Sequence, residues 1–392
     1  MSFWKNKPLK INKQITELTD THSLLANVTK ELEINKCALD YKCITFSSLS
    51  LQDKLVILEF VNNNYKNADR KYNLRYSLEL LEYFLNRNTV SLVFFPKHFN
   101  DKTNMNNMVG FIAGTNRTFN VLGNAFVGIE GDFLSLTPAL RHMHMSSFMI
   151  NTLTKECITL FKHEVKCAFY TIGKRINSEH FSFISYQHRP LNIKKLLKMD
   201  MIQQSFNDPT AQKIYGSFSY PKNFLECKKI QHFNGHSGVS TELARTIAHA
   251  LNLYNQKTHH IFDVKNTSDI LEMFRSKAFH HFVIMDNDNN VSDYMCMYML
   301  DTVINMPDRV EVCNNGYIYC MFVNPNSTPL CILEYVAEFC KTKDIFDMIT
   351  TTGMFEDGSK SKLLQGTGHL YYYMYNLQLP YIRGDKNALI TI

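Results

Sequence analysis

The sequence has no apolar run approaching the roughly 20 residues that cross a bilayer as a helix, so no transmembrane segment is expected. No secretory leader is read at its start, because Trp4, Lys5, Asn6 and Lys7 interrupt any apolar stretch. The ten cysteines include no Cys-x-x-Cys pair, and the spacing from Cys331 to Cys340 fits no zinc pattern. No metal is expected, and the cysteines read as free thiols of a reducing, cytoplasmic compartment. Zinc-finger spacing, basic heptads and aromatic RNA-binding signatures are missing, which argues against nucleic acid as a partner. There is no Gly-x-Ser-x-Gly elbow and no evident Cys and His pair to mark a covalent nucleophile.

What is present favours a large core. Hydrophobic residues make up 45% of the 392 positions and charged residues 20%, enough for two domains or three and too apolar for wholesale disorder. The net charge of +6 is mild. Short clusters such as Lys194, Lys195 and Lys198 read as a solvated basic face or, more sharply, as a site for an anionic cofactor.

Residues 1–45 show little periodicity and read as an irregular arm. Ser50 then precedes Leu51, Leu55, Leu58 and Val61 on one helical face, with Asp53 at capping-box spacing. A second helix is expected after Ser77. Strands over 89–95 and 109–113 make a long-looped hairpin, and 119–136 is a third β region. Met149, Leu153, Cys157 and Leu160 form a helical stripe, followed by a short strand at 167–171. The second half repeats this order. Leu243, Ile247, Leu251 and Tyr254 mark a helix, and 270–274 a shorter one. Strands 281–285 and 291–299 flank the turn Asp286-Asn287-Asp288-Asn289-Asn290. A β region at 317–323, a helix through Leu330, Leu333, Val336 and Cys340, and a strand at 345–349 complete it. Corresponding elements lie roughly 180–190 residues apart, too far for a solenoid and suited to a duplicated α/β domain.

Seven short motifs follow one another along the chain. They are Phe3-Trp4 with Pro8; Asn64-Tyr65 then Tyr76-Ser77; Asp132-Phe133-Leu134; Leu140-Arg141; Tyr170-Thr171-x-Gly173; Tyr186-Gln187-His188-Arg189-Pro190-Leu191-Asn192; and Gly366-Thr367-Gly368 followed by Leu370, Tyr372, Tyr373, Tyr375 and Asn376. The sequence ends in the apolar Ala388-Leu389-Ile390-Thr391-Ile392. Each motif alone is weak. In this order, across nearly the whole chain, they resemble the N-myristoyltransferase family.

That resemblance implies an α/β (α+β) fold of two tandem GNAT-like acyltransferase halves sharing a curved mixed sheet. It implies an arm at 1–45 contributing to the acyl-CoA site, an acyl-CoA-binding half at 46–190 and a peptide-binding half at 191–392. The activity implied is that of a glycylpeptide N-tetradecanoyltransferase, acting on proteins with N-terminal glycine and a coenzyme A thioester, myristoyl-CoA. A cytoplasmic monomer is expected. Ser2, not glycine, follows Met1, so the chain lacks the motif of a substrate of that reaction.

Amide formation from a thioester needs a neutral amine, a polarised carbonyl and a leaving thiolate. The thioester is already activated, so substrate positioning and oxyanion stabilisation suffice. By resemblance, the backbone N–H groups of Phe133 and Leu134 form the oxyanion hole, which requires that the backbone there leave strand pairing. Thr171, with Asp132 nearby, would hold the glycine amine, and the carboxylate of Ile392 would take its proton. For the coenzyme, Phe3, Trp4 and the stretch Leu140, Arg141, His142, Met143, His144, Met145, Ser146 and Ser147, running into a helix N-terminus, would supply donors to phosphate. This stretch departs from the family's Arg-Ser-Lys-Arg loop, with Met143 and His144 in place of its Lys and second Arg. The peptide groove would be lined by Tyr76, Tyr186, His188, Tyr298, Thr302, Tyr319, Gly366 and Gly368. The competing expectations are another GNAT-type N-acyltransferase, or a catalytically weak binder of myristoyl-CoA or lipopeptide.

Overall fold

The computed structural model describes residues 13–34, 37–65, 72–86, 88–98, 101–102, 104–141, 143–176, 178–221, 228–236, 238–306, 308–353 and 362–391. Phe3, Trp4, His142 and Ile392 lie outside the described residues.

Two capped helices open each half. Ser50 accepts from the Asp53 N–H at 3.1 Å to start helix Leu51–Asn64, and Ser77 accepts from Leu80 N–H at 3.1 Å to start Leu78–Leu85. Ser240 does the same for Thr241–Thr258, and Asn266 with Asp269 forms a complete capping box for Thr267–Arg275. An antiparallel meander follows each pair. In the first half it is Thr89–Pro96, Gly110–Val121 and Asn124–Leu136; in the second it is Phe279–Met285, Val291–Met299 and Asn315–Phe322. A helix then crosses over, Met145–Phe161 or Pro329–Thr342, and returns a strand parallel to the third. Cys167–Ile172 joins Asn124–Leu136 through Gly128↔Cys167, and Met348–Thr352 joins Asn315–Phe322 through Asn315↔Met348. The two halves thus share element order and pairing sense.

One exchange fuses them. Strand Ser182–Pro190, which follows the first half's parallel strand, pairs with Met348–Thr352 of the second. Strand Leu364–Tyr375, which follows the second half's parallel strand, pairs with Cys167–Ile172 of the first. The exchanged strands also pair with each other, at Leu370↔Ile184. Among the described residues the result is one mixed sheet of 14 strands.

Alternation along the strands separates its faces. Val93 and Phe95, with Phe279 and Val283, meet the four capped helices in one core, through Ile57, Leu80, Ile247 and Phe274. Leu92 and Phe94 face Met149, Leu153 and Cys157 of the first crossover helix, while Phe282 and Ile284 face Ile332, Val336 and Cys340 of the second.

Two expectations change. The segment read as irregular contains helix Thr21–Ile34 and strand Leu39–Ile44, which adds an edge to the sheet beside Thr89–Pro96. The helix buries Val28, and its Glu31 accepts from the Asn151 side chain at 2.8 Å, so its order comes from contact with helix Met145–Phe161. The single β region read at 119–136 spans the end of one strand and the whole of the next, with Leu122 and Gly123 between them at φ of 50° and 87°. A leucine in the left-handed region is no ordinary turn signal, which is why the break escaped the sequence.

Candidate active site

The parallel pair Asn124–Leu136 and Cys167–Ile172 runs out at Glu130↔Phe169. Where these strands part, a cavity of about 710 Å³ opens. The parting coincides with a bulge. Ala113 pairs with Asp132 and Phe111 with Ser135, which leaves Phe133 and Leu134 opposite the single residue Ile112. Phe133 sits at φ 56°, a conformation that costs a side-chain-bearing residue on the order of 1–3 kcal/mol and persists only where its surroundings enforce it. The enforcement is aromatic. The buried Phe133 ring packs edge-on to Tyr76 at 5.4 Å and tilted on Tyr65 at 5.9 Å. Residues 133–134 are thereby taken out of the ladder, and both line the cavity.

One part of the cavity wall is apolar, from Ile112, Ile129, Leu153, Cys157, Ile158 and Val165. Another part is aromatic and polar, from Tyr65, Tyr76, Tyr186, His188, Tyr317 and His369. Such a mixed surface suits a ligand with a long apolar portion and a hydrogen-bonding one. The Tyr76 hydroxyl is buried with no partner among the described residues, a donor left for a ligand. His188 Nδ1 lies 2.9 Å from the Thr350 hydroxyl, which in turn donates to Asn315 Oδ1 at 2.8 Å. Thr350 therefore accepts from Nδ1–H, and Nε2 carries the free lone pair. Burial lowers the His188 pKa to about 4, so the ring is neutral at physiological pH.

Asp132 and Thr171 also line the cavity, as does Thr391, whose hydroxyl is 2.9 Å from that of Thr171. Two further contacts hold the preceding tail. Tyr372 OH donates to Leu389 O at 2.9 Å, and Arg117 Nη1 reaches Ile390 O at 3.5 Å. Arg117 also pairs with the buried Glu130 and, at 2.6 Å, with Asp263, which pairs in turn with Lys265. Against the effect of burial, Arg117 and Lys265 hold the Asp263 carboxyl well below the ordinary range. Burial, with the Glu130 charge added to it, pushes the Asp132 carboxyl well above that range against the pull of Arg117.

The residues picked from sequence divide. Asp132, Phe133, Leu134, Thr171, Tyr76, Tyr186, His188 and Gly368 share the cavity wall. Gly366 sits beside it, where a Cβ would come within 2.5 Å of His188 Nε2. Tyr298 lies behind, stacked on Tyr317 at 5.3 Å. Tyr319 is turned to Lys265, whose Nζ donates to its hydroxyl at 3.0 Å; it falls at a register shift between Cys296↔Cys320 and Met297↔Ile318. Thr302 belongs to a separate three-stranded sheet of Tyr72–Arg75, Asp301–Asn305 and Val310–Cys313. Of the expected coenzyme stretch, Leu140 ends a 3-10 turn and Met145, Ser146 and Ser147 open the crossover helix. His144 precedes that helix at φ 56° without a side-chain cap, and Met143 is exposed. Arg141 donates to Leu136 O at 3.0 Å and Asn64 O at 2.7 Å. Sequence reasoning gave no role to Tyr65, Tyr317, Thr367, His369 or Thr391 in this wall. For Tyr65 the signal was there, in the Asn64-Tyr65 motif.

A profile of the Myristoyl-CoA:protein N-myristoyltransferase N-terminal domain matches residues 20–182. The glycylpeptide N-tetradecanoyltransferase of Kluyveromyces lactis is 25% identical over 206 residues, 51% of this chain and 42% of that relative. That of Plasmodium falciparum is 22% identical over 406 residues, 100% of this chain and 93% of that relative. A solved Saccharomyces cerevisiae N-myristoyltransferase with bound myristoyl-CoA shares the fold at a TM-score of 0.79 and 15% identity, covering 100% of this chain and 93% of that one. Residues 20–182 thus match the N-terminal domain of the N-myristoyltransferase family, and the whole chain shares the fold of a solved N-myristoyltransferase.

Proposed function

We propose that this protein transfers myristate from myristoyl-CoA to the N-terminal glycine amine of other proteins by direct addition and elimination. The observation that carries this is one cavity lined at once by apolar side chains, by tyrosines and by the bulge residues Phe133 and Leu134. The apolar wall suits the acyl chain, and the aromatic wall suits an extended peptide. In this reading the backbone N–H groups of Phe133 and Leu134 stabilise the thioester oxygen, where negative charge develops in the transition state. Thr171, with Asp132 nearby, holds the amine. The carboxylate of Ile392 serves as a proton acceptor in this reading, which the anchoring of Leu389 by Tyr372, Ile390 by Arg117 and Thr391 by Thr171 supports. Loops before and after helix Met145–Phe161 belong to the acyl-CoA half, and its uncapped N-terminus serves the phosphates. The protein works as a monomer in the cytoplasm in this reading; no helix of the described residues is long and apolar enough to cross a membrane.

Mass spectrometry of a glycine-starting peptide incubated with the protein and myristoyl-CoA tests it. A gain of one myristoyl group on the terminal amine is expected. Tight binding of myristoyl-CoA without any transfer would instead make the protein a lipid-thioester binder. Transfer of other acyl chains in preference to myristoyl would make it a different N-acyltransferase.

A further inference from the structure

Among the described residues that line the cavity, Asp132 is the only carboxylic acid. It is buried, and its carboxyl makes no hydrogen bond or ion pair with any described residue. An unpartnered buried acid costs stability and calls for a functional account. It stands immediately before the Phe133–Leu134 bulge, on the cavity that Thr171 and Thr391 also line. The site therefore contains a side-chain proton acceptor of its own, in addition to any carboxylate at the end of the chain.

We propose that Asp132 is a second catalytic base of the transfer reaction, taking the first proton from the ammonium of the incoming peptide and leaving the second to the carboxylate at the end of the chain. This rests on the reading of the site given above. The sequence of events balances. The ammonium gives one proton to the Asp132 carboxylate, and the freed lone pair forms the C–N bond at the thioester carbonyl. The carbonyl π pair moves onto oxygen and returns as the C–S bond breaks, the sulfur leaving with its electron pair. The nitrogen sheds a second proton as the amide forms. One of the two protons ends on the coenzyme thiol and the other passes to solvent, so Asp132 is regenerated as carboxylate.

The surroundings of Asp132 suit this task. Glu130, two residues back on the same strand, opposes its ionisation, and Arg117 of the neighbouring strand favours it. Tyr65 and Tyr76, which line the same cavity, carry hydroxyls that burial keeps neutral. The carboxyl is thus a stronger base than an ordinary carboxylate, which narrows the gap to the terminal amine it must deprotonate. An arriving ammonium supplies the positive partner that the empty site lacks, and so ionises the acid it needs.

The test is Asp132→Asn in the full chain, which keeps shape and hydrogen bonding but removes the base. With myristoyl-CoA and a glycine-starting peptide, kcat should fall roughly 100-fold near pH 6.5, where the free amine is mostly protonated. The deficit should shrink to less than about tenfold near pH 9, where the amine is already neutral. Affinity for myristoyl-CoA should be unchanged, which also verifies folding. Asp132→Ala should regain turnover when formate is added. A kcat within threefold of wild type across the pH range, or a defect confined to peptide KM, overturns the proposal, the latter because it marks a mere anchor. If the wild-type chain transfers no acyl group, the reading of the site falls first; if it does and the Asn variant matches it, only Asp132 as base falls.

Discussion

The hydroxyls of Thr171 and Thr391 lie 2.9 Å apart although 220 positions separate them in the chain. One sits on the strand that parts from the bulge, the other on the final described stretch of the chain. Their contact fixes the tail at the cavity wall, and its removal is informative. Thr171→Val leaves the buried Thr391 hydroxyl without this partner, at a cost of about 1–3 kcal/mol. Turnover should fall at least tenfold, while myristoyl-CoA affinity stays within twofold. A C-terminal affinity tag, which moves the terminal carboxylate away, should suppress turnover in the same way. A fully active tagged protein would remove the tail from the mechanism.

Arg141 offers a choice between two roles. Its guanidinium already bridges the carbonyls of Leu136 and Asn64, tying the strand end to the end of helix Leu51–Asn64. If it also contacts phosphate, Arg141→Ala weakens acyl-CoA binding but spares an acyl-pantetheine lacking the nucleotide. If it only braces the loop, both ligands lose affinity alike. The bridging geometry leads us to expect a loss for both ligands, larger for the coenzyme thioester, measurable by calorimetry.

Glycine is required at 366 by close approach. A Cβ there would meet His188 Nε2 at 2.5 Å and Tyr186 O at 2.9 Å. Gly366→Ala should push the imidazole out of place and raise peptide KM by roughly tenfold, equivalent to about 1.4 kcal/mol of lost binding. The acyl-CoA affinity should not change. An unaltered KM would mean that His188 does not face the peptide.

Acid should destabilise the fold before most carboxylates titrate. Burial lowers the pKa of His188, His259 and His280 to about 4 and that of His281 to about 3. In the unfolded chain each protonates near 6.5, so between about pH 6.5 and 4 the unfolded state binds more protons. Stability is then full above the unfolded value and falls as pH drops through this window. Urea midpoints at pH 7 and pH 5 measure it. His259→Gln should flatten the dependence, and equal midpoints for the wild type would refute it.

The charge network beneath the site should be essential as a unit. Arg117→Ala strands the buried Glu130 and leaves Asp263 to Lys265 alone, with an expected loss of about 3–5 kcal/mol. A denaturant titration reads it directly. A loss below 1 kcal/mol would show that Lys265 and water compensate.

Much of the local structure was legible in the chain because it depends on near neighbours. Ser50, Ser77, Ser240 and Asn266 start helices through hydrogen bonds three residues long, and the Asp286–Asn290 turn pins its hairpin within itself. The repeat of helices and strands, and with it the duplicated α/β class, follows from such signals and from apolar periodicity. The motifs carried the resemblance to a family, since short residue patterns in fixed order survive without any knowledge of where they meet.

What the chain order could not say is which distant strands exchange and where side chains converge. Leu364–Tyr375 enters the first half's sheet because backbone donors there need partners, and no local pattern names the partner. The helix at Thr21–Ile34 is ordered by packing across to Asn151, and Tyr319 leaves the groove through a register shift that only cross-strand pairing creates. Phe133 holds a left-handed backbone only because Tyr65 and Tyr76 enclose its ring. Sequence therefore determined the elements and the family resemblance, whose information is short-range. Tertiary structure decided the bulge, the cavity and the isolation of Asp132, since each arises from residues that burial brings together across the chain.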